Sequence, residues 1–140
     1  MTGRILAVDP GGKRIGIAVS DPSATIANPV KVLLHESRHD DALQIAKIAE
    51  EAQVRLIIIG MALDEEGQLK PIAHHAMKLA DEIRLLTQIA VEMWDESGST
   101  VKARQARVEM GVKRSKRSGH LDEMAAVVIL QSYLDQNEDR

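Results

Sequence analysis

The hydrophobic pattern changes period partway along the chain. Up to residue 34, apolar positions come in short runs. Ile5-Leu6-Ala7-Val8 is unbroken and stops at Asp9, the pattern of a central strand covered on both faces. Pro10-Gly11-Gly12 forces a turn, and the apolar run resumes from Ile15 to Val19. Gly16 lies inside it, where another group can come close to the backbone. The pattern predicts strands over residues 4–9 and 14–20 joined by a tight hairpin. Asp21-Pro22-Ser23 is a second turn. Residues 24–34 read as a third strand, assigned to a sheet edge by Pro29. Three successive strands make an antiparallel meander.

Beyond residue 40 the spacing becomes helical. Ala42, Ile45, Ile48, Ala49 and Ala52 share one face, and Asp40 or Asp41 suits the positive N-terminal end. Arg55 to Gly60 is a short apolar strand of the kind found inside parallel sheets. A loop with Asp64, Glu65, Glu66 and Gly67 follows. Pro71 opens a second helix, with Ile72, Ala76, Leu79, Ile83 and Leu86 at spacings of four and three. Residues 89–96 read as a fifth strand ending in Asp95 and Glu96. Ser97 to Thr100 supply caps for a helix over residues 101–110. Residues 111–119 form a basic loop with Lys113, Arg114, Lys116 and Arg117. Residues 121–134 form a last helix, apolar nearly all round and therefore expected to be buried. The tail from Asp135 is polar. The expected fold is α/β: a five-stranded mixed sheet, three antiparallel strands then two parallel, flanked by helices. The expected organisation is one domain over residues 1–140.

Composition narrows the chemistry. The chain has no Cys, which excludes disulfides, zinc–thiolate sites and cysteine nucleophiles. With no Phe, one Tyr (Tyr133) and one Trp (Trp94), it lacks an aromatic platform for stacking bases. A formal net charge of −3 leaves room only for a local basic patch. The N-terminus has no signal-peptide pattern and no apolar run approaches a membrane span, so a soluble, cytoplasmic protein without a membrane partner is expected.

The acids carry the functional argument. Asp9, Asp95 and Glu96 end strands, and Asp122 falls in the expected first turn of the last helix. Parallel strands bring their carboxyl ends to one edge, where α/β proteins bind ligands. If the last helix packs its Leu121, Ala125 and Val128 face on the sheet, Asp122 reaches that edge too. Carboxylates so gathered repel unless a cation joins them, and Mg²⁺ or Mn²⁺ suits oxygen ligands with room for water and phosphate. Such a site hydrolyses phosphodiesters. Each acid also has a plain structural reading. Asp9 can be a turn former, and Asp95, Glu96 and Asp122 can complement helix N-termini. Lys13 and Arg14 in the hairpin, with Lys113, Arg114, Lys116 and Arg117, are candidate phosphate contacts. His35 and His39 read as linker residues, His74 and His75 as an exposed helix face, and His120 as a surface residue beside Asp122.

Residues 5–21, Trp94-Asp95-Glu96 and residues 121–134 together resemble the YqgF family, also called RuvX. The resemblance spans nearly the whole chain. It implies a ribonuclease H-like fold and a divalent-metal-dependent nuclease, described as processing the 5′ end of pre-16S rRNA or as resolving Holliday junctions. By it, Asp9, Asp122 and one of Asp95 and Glu96 are the catalytic carboxylates. Neighbours in a strand face opposite sides, so only one of that pair serves. Ser97-Gly98 stands where the family usually has Arg and an apolar residue, and Gly60-Met61-Ala62 lacks its usual proline. RNA is the expected partner and structured DNA the alternative, with monomer and homodimer both open. A non-catalytic RNA-binding module is a further alternative. An actin-like ATPase is a weaker one, because such proteins clamp nucleotide between two domains.

Overall fold

The computed structural model describes residues 3–61, 71–95 and 118–137. Within them the chain forms β1 (Ile5–Pro10), β2 (Arg14–Ser20), β3 (Ala27–Leu34), α1 (Arg38–Ala52), β4 (Leu56–Met61), α2 (Pro71–Leu86), β5 (Ala90–Asp95) and α3 (Ser118–Asn137). The strands make one sheet in the order β3-β2-β1-β4-β5. β1 pairs antiparallel with β2 and parallel with β4, β2 antiparallel with β3, and β4 parallel with β5. The meander and the two parallel strands are as the sequence pattern predicts.

β1 lies at the centre, and its unbroken apolar run divides between two cores. Leu6 and Val8 join Ile15, Ile17, Ile57 and Ile59 beneath α1 and α2. Ile5 and Ala7 join Ala18, Ala27, Leu56 and Ile58 beneath α3. Alternation along each strand explains the split. The α3 side is rich in alanine, which lets the helix sit close to the sheet.

β3 is an edge strand, as Pro29 requires, and it begins at Ala27 rather than residue 24. Asp21 explains the late start. Its carboxylate accepts hydrogen bonds from the Thr25 and Ile26 amides, both 2.8 Å, and from the Ser23 hydroxyl, tying up residues 21–26 in a turn. Ala24 in this turn is left-handed, at φ +57°. The three donors hold the Asp21 carboxyl well below the usual carboxylate range, the Ile26 amide contributing most.

α1 is capped by Ser37, whose hydroxyl accepts from the Asp40 amide at 3.1 Å. The helix therefore starts at Arg38 and includes His39, which the sequence pattern assigned to a linker. α3 departs from expectation in two ways. It starts at Ser118 and runs to Asn137, so Asp122 lies in its second turn. Its buried stripe is Ala126, Ile129, Leu130 and Leu134, with Ala125 and Val128 only half-buried. The expected Leu121–Ala125–Val128 face is thus displaced by one position. A helix apolar on every side carries no sequence signal for the face that turns inward. Packing against Ile5, Ala7 and Ile58 decides it. Gln131 fixes the result: its side chain accepts from the Ala27 amide and donates to the Thr25 carbonyl, both at 3.0 Å.

The expected helix over residues 101–110, the basic loop over 111–117, the acidic loop after β4, Glu96 and the tail beyond Asn137 lie outside the described residues.

Candidate active site

Asp9 is the next-to-last residue of β1, half-buried at the carboxyl end of the central strand. It follows Ile5 and Ala7 at strand alternation, so it belongs to the α3 side of the sheet. Its antiparallel partner in β2 is Gly16. On the other side the last β1–β4 pair is Val8 with Ile59, and the next residue of β4 is Gly60. Asp9 therefore lies in a row Gly16, Asp9, Gly60, Trp94, since Gly60 pairs with Trp94. No side chain from either adjacent strand stands beside Asp9 at its own level. Glycine at both positions leaves no β-carbon beside Asp9 within the sheet, where another group can come close to the backbone. Sequence reasoning noted Gly16 but missed Gly60, whose level depends on the β1–β4 register.

The hairpin after Asp9 closes through backbone: the Gly11 amide donates to the Asp9 carbonyl at 2.9 Å, and Pro10 still pairs with Ile15. A Cβ at Gly11 would stand 2.5 Å from the Arg14 carbonyl oxygen, so the turn requires glycine there. At Gly12 a Cβ would meet nothing within 4 Å. Lys13 is exposed at the tip and Arg14 half-buried at the start of β2.

Trp94 closes the row. Its ring meets Tyr133 of α3 edge-on, centroids 5.1 Å apart and planes at 82°. The indole Nε1 is buried with no hydrogen-bond partner among the described residues. The pair binds the end of β5 to α3 and uses the only two aromatic residues of the chain.

The other expected carboxylates are placed by backbone. Asp95 is the last residue of β5, paired with Met61. Asp122 precedes Ala126 by four residues and Ile129 by seven, the spacing of the buried stripe of α3. The helix-dipole reading of Asp122 loses force, because that effect fades within the first turn, which here holds no acid. Glu96, Lys113, Arg114, Lys116 and Arg117 lie outside the described residues. No group of three metal-binding side chains occurs among the described residues. Of the four expected catalytic acids, Asp9 is the one whose side chain the structure describes.

A mixed sheet in this order, with a long helix across one face, is the ribonuclease H-like fold. The comparisons agree. One of the similar solved structures is "T. thermophilus RuvC in complex with Holliday junction substrate", with a TM-score of 0.60, 12% identity, and coverage of 96% of this chain and 95% of that one. The sequence model of RuvX, described as Holliday junction resolvase, matches residues 3–136. Among curated relatives, a "Putative pre-16S rRNA nuclease" of Clostridioides difficile (strain 630) is 38% identical over 135 residues, covering 96% of each chain. One of the same name from Thermoanaerobacter pseudethanolicus is 35% identical over 138 residues, covering 98% of this chain and 99% of its own. The chain belongs to the RuvX family, nucleases that hydrolyse phosphodiester bonds.

Proposed function

We propose that the chain is a Mg²⁺- or Mn²⁺-dependent nuclease that trims the 5′ end of precursor 16S rRNA in the cytoplasm, acting as a single domain. The observation that carries this reading is Asp9, a carboxylate at the open end of the central strand with glycine on both flanks, on the sheet face crossed by the helix that carries Asp122. The names of the relatives supply the substrate class.

Asp9, Asp122 and one acid at the end of β5 would hold the metal, an all-oxygen donor set suited to hard divalent ions. When bound, such a metal lowers the pKa of water and stabilises charge on the leaving oxygen. The chain's own contribution is placement: strand β1 presents Asp9 rigidly, and Gln131 sets the position of α3 against the sheet. Lys13, Arg14 and the 113–117 basic segment are assigned to phosphate contacts.

The test offers wild type and the Asp9→Asn, Asp122→Asn, Asp95→Asn and Glu96→Gln variants a precursor 16S rRNA and a four-way DNA junction, each with Mg²⁺ or Mn²⁺. Cleavage of the RNA lost in the Asp9 and Asp122 variants and in one of the Asp95 and Glu96 variants, with the fold retained, supports the reading. Undiminished cleavage by the Asp9 and Asp122 variants would falsify the carboxylate site. The family description favours a second reading, junction resolution; symmetric cutting of the junction with the RNA left intact selects it.

A further inference from the structure

On the other side of the hairpin from Asp9, beneath α1 and α2, lies a cavity of about 420 Å³. Its polar lining is His35, Ser37, Arg38, Asp41 and His75, and Pro10, Ile15 and Leu79 give it an apolar part. None of these residues has a place in the acid site.

Asp41 organises the cavity. It is 2% exposed, a burial that is costly for a carboxylate unless its oxygens are satisfied. They are: Asp41 accepts from His35 Nδ1 and, at 3.2 Å, from the Glu36 amide. Its charge is thus spent on holding the His35 ring, and it leaves the Nε2 edge of that ring as the second hydrogen-bonding nitrogen. Arg38 opens α1 and His75 lies on α2. Neither forms an ion pair or hydrogen bond with another described residue, whereas His39 takes Glu82 at 2.9 Å and Arg84 takes Asp81 at 3.0 Å. Three nitrogen-bearing side chains from three segments therefore line one cavity whose single acid is already engaged.

That lining selects an anion, and the apolar part leaves room for more than an ion. The cavity falls in the size range of small-ligand sites. Position selects the source. Pro10 and Gly11 form the wall, and Asp9 precedes Pro10 on the other side of that wall. A strand crossing the open end of the sheet meets both. We propose that the cavity is a second nucleic-acid subsite, holding a phosphate and its sugar from the strand whose neighbouring phosphodiester lies at Asp9. The proposal rests on the nuclease reading above. Arg38 and His75 contact the phosphate, and Asp41 is a positioning residue that acts through His35.

The experiment measures binding of a short, fluorescently labelled single-stranded RNA in EDTA, over a series of salt concentrations. Wild type is compared with Arg38→Ala, His75→Ala and Arg38→Lys. All three changes are at exposed positions, and unchanged thermal melts confirm the fold. Each alanine variant is expected to weaken binding about tenfold, as for a lost charged hydrogen bond. Arg38→Ala should also lower the slope of log K against log salt by about 0.7, one phosphate contact to a single strand. Arg38→Lys should keep the slope. With Mn²⁺, hydrolysis of a substrate with one phosphate, thymidine 5′-(p-nitrophenyl phosphate), should be the same in all four proteins. Wild-type affinity and slope in both alanine variants overturn the subsite. So does a response only to free inorganic phosphate or a mononucleotide, read as shifts of the His35 and His75 imidazole signals, which would mark a soluble ligand. RNA that binds through Arg38 but is not cut with Mn²⁺ or Mg²⁺ leaves the subsite standing and removes the nuclease reading. RNA that is cut equally by wild type and both alanine variants, at equal affinity, does the reverse.

Discussion

The chain contains two Asp-Pro corners, Asp9-Pro10 and Asp21-Pro22, at opposite ends of the same antiparallel pair. Their sequences look alike and their structures do not. At the second corner the side chain adds to the backbone: the Ala24 amide donates to the Asp21 carbonyl at 3.0 Å, the Asp21 carboxylate gathers the Thr25 and Ile26 amides and the Ser23 hydroxyl, and the strand behind it waits until Ala27. At the first corner the backbone makes the turn. Pro10 stays in the strand, and the Gly11 amide bonds to the main-chain carbonyl of Asp9. The Asp9 side chain stands between two glycine positions at the end of the central strand.

Substitutions at the two corners test that contrast. The largest effect belongs to Asp9→Asn, with RNA cleavage falling on the order of 10²–10³-fold, the cost of removing one charge-stabilising group from a reacting centre, and little change in melting temperature. A large stability loss at unchanged cleavage would reverse the assignment of the corners. Gly11→Ala comes next. The new methyl meets the Arg14 carbonyl oxygen at 2.5 Å, so the hairpin must shift, and denaturant unfolding should show a loss of about 1–3 kcal/mol, the usual range for overpacking. Asp21→Asn should leave cleavage intact and lower the melting temperature at neutral pH. Because the folded-state pKa of Asp21 is depressed, its contribution is present above the unfolded-state value of about 3.9 and lost as pH falls through the lower folded value. Melts of wild type and Asp21→Asn should therefore differ at pH 6 and converge below about pH 4. Gly12→Ala should have the smallest effect, within about 0.5 kcal/mol on unfolding, because a Cβ there meets nothing within 4 Å.

Much of the architecture was legible from pattern. The unbroken run of Ile5 to Val8 required burial on both faces, and β1 does divide its side chains between two cores. Pro29 required an edge, and β3 is at one. The change of period after residue 40 separated meander from helix-connected strands. Asp9 was legible too, as an acid ending an apolar strand. The misses share a cause. Leu121, Ala125 and Val128 were as apolar as Ala126, Ile129 and Leu130, so composition could not choose between two helix faces one position apart. Ser118-Gly119-His120 gave no helical pattern, so the start of α3 and the turn holding Asp122 were misplaced. His35 and His39 lacked local partners; their acids, Asp41 and Glu82, lie 6 and 43 residues away.

What the sequence alone determined is what local physics controls: where apolar runs make strands, where Pro and Gly break them, where the period turns helical, and that an acid ends the central strand. It also picked out Asp95, Glu96 and Asp122 as that acid's expected companions, and the resemblance to the RuvX family added the catalytic role expected of them. Only the tertiary structure decided which face of α3 turns inward, that Gly60 comes level with Asp9, that Asp41 is spent on His35, and that a cavity backs the hairpin. Each of these depends on register between segments distant in the chain. A register is chosen by the summed packing of many side chains, and no single stretch of sequence carries it.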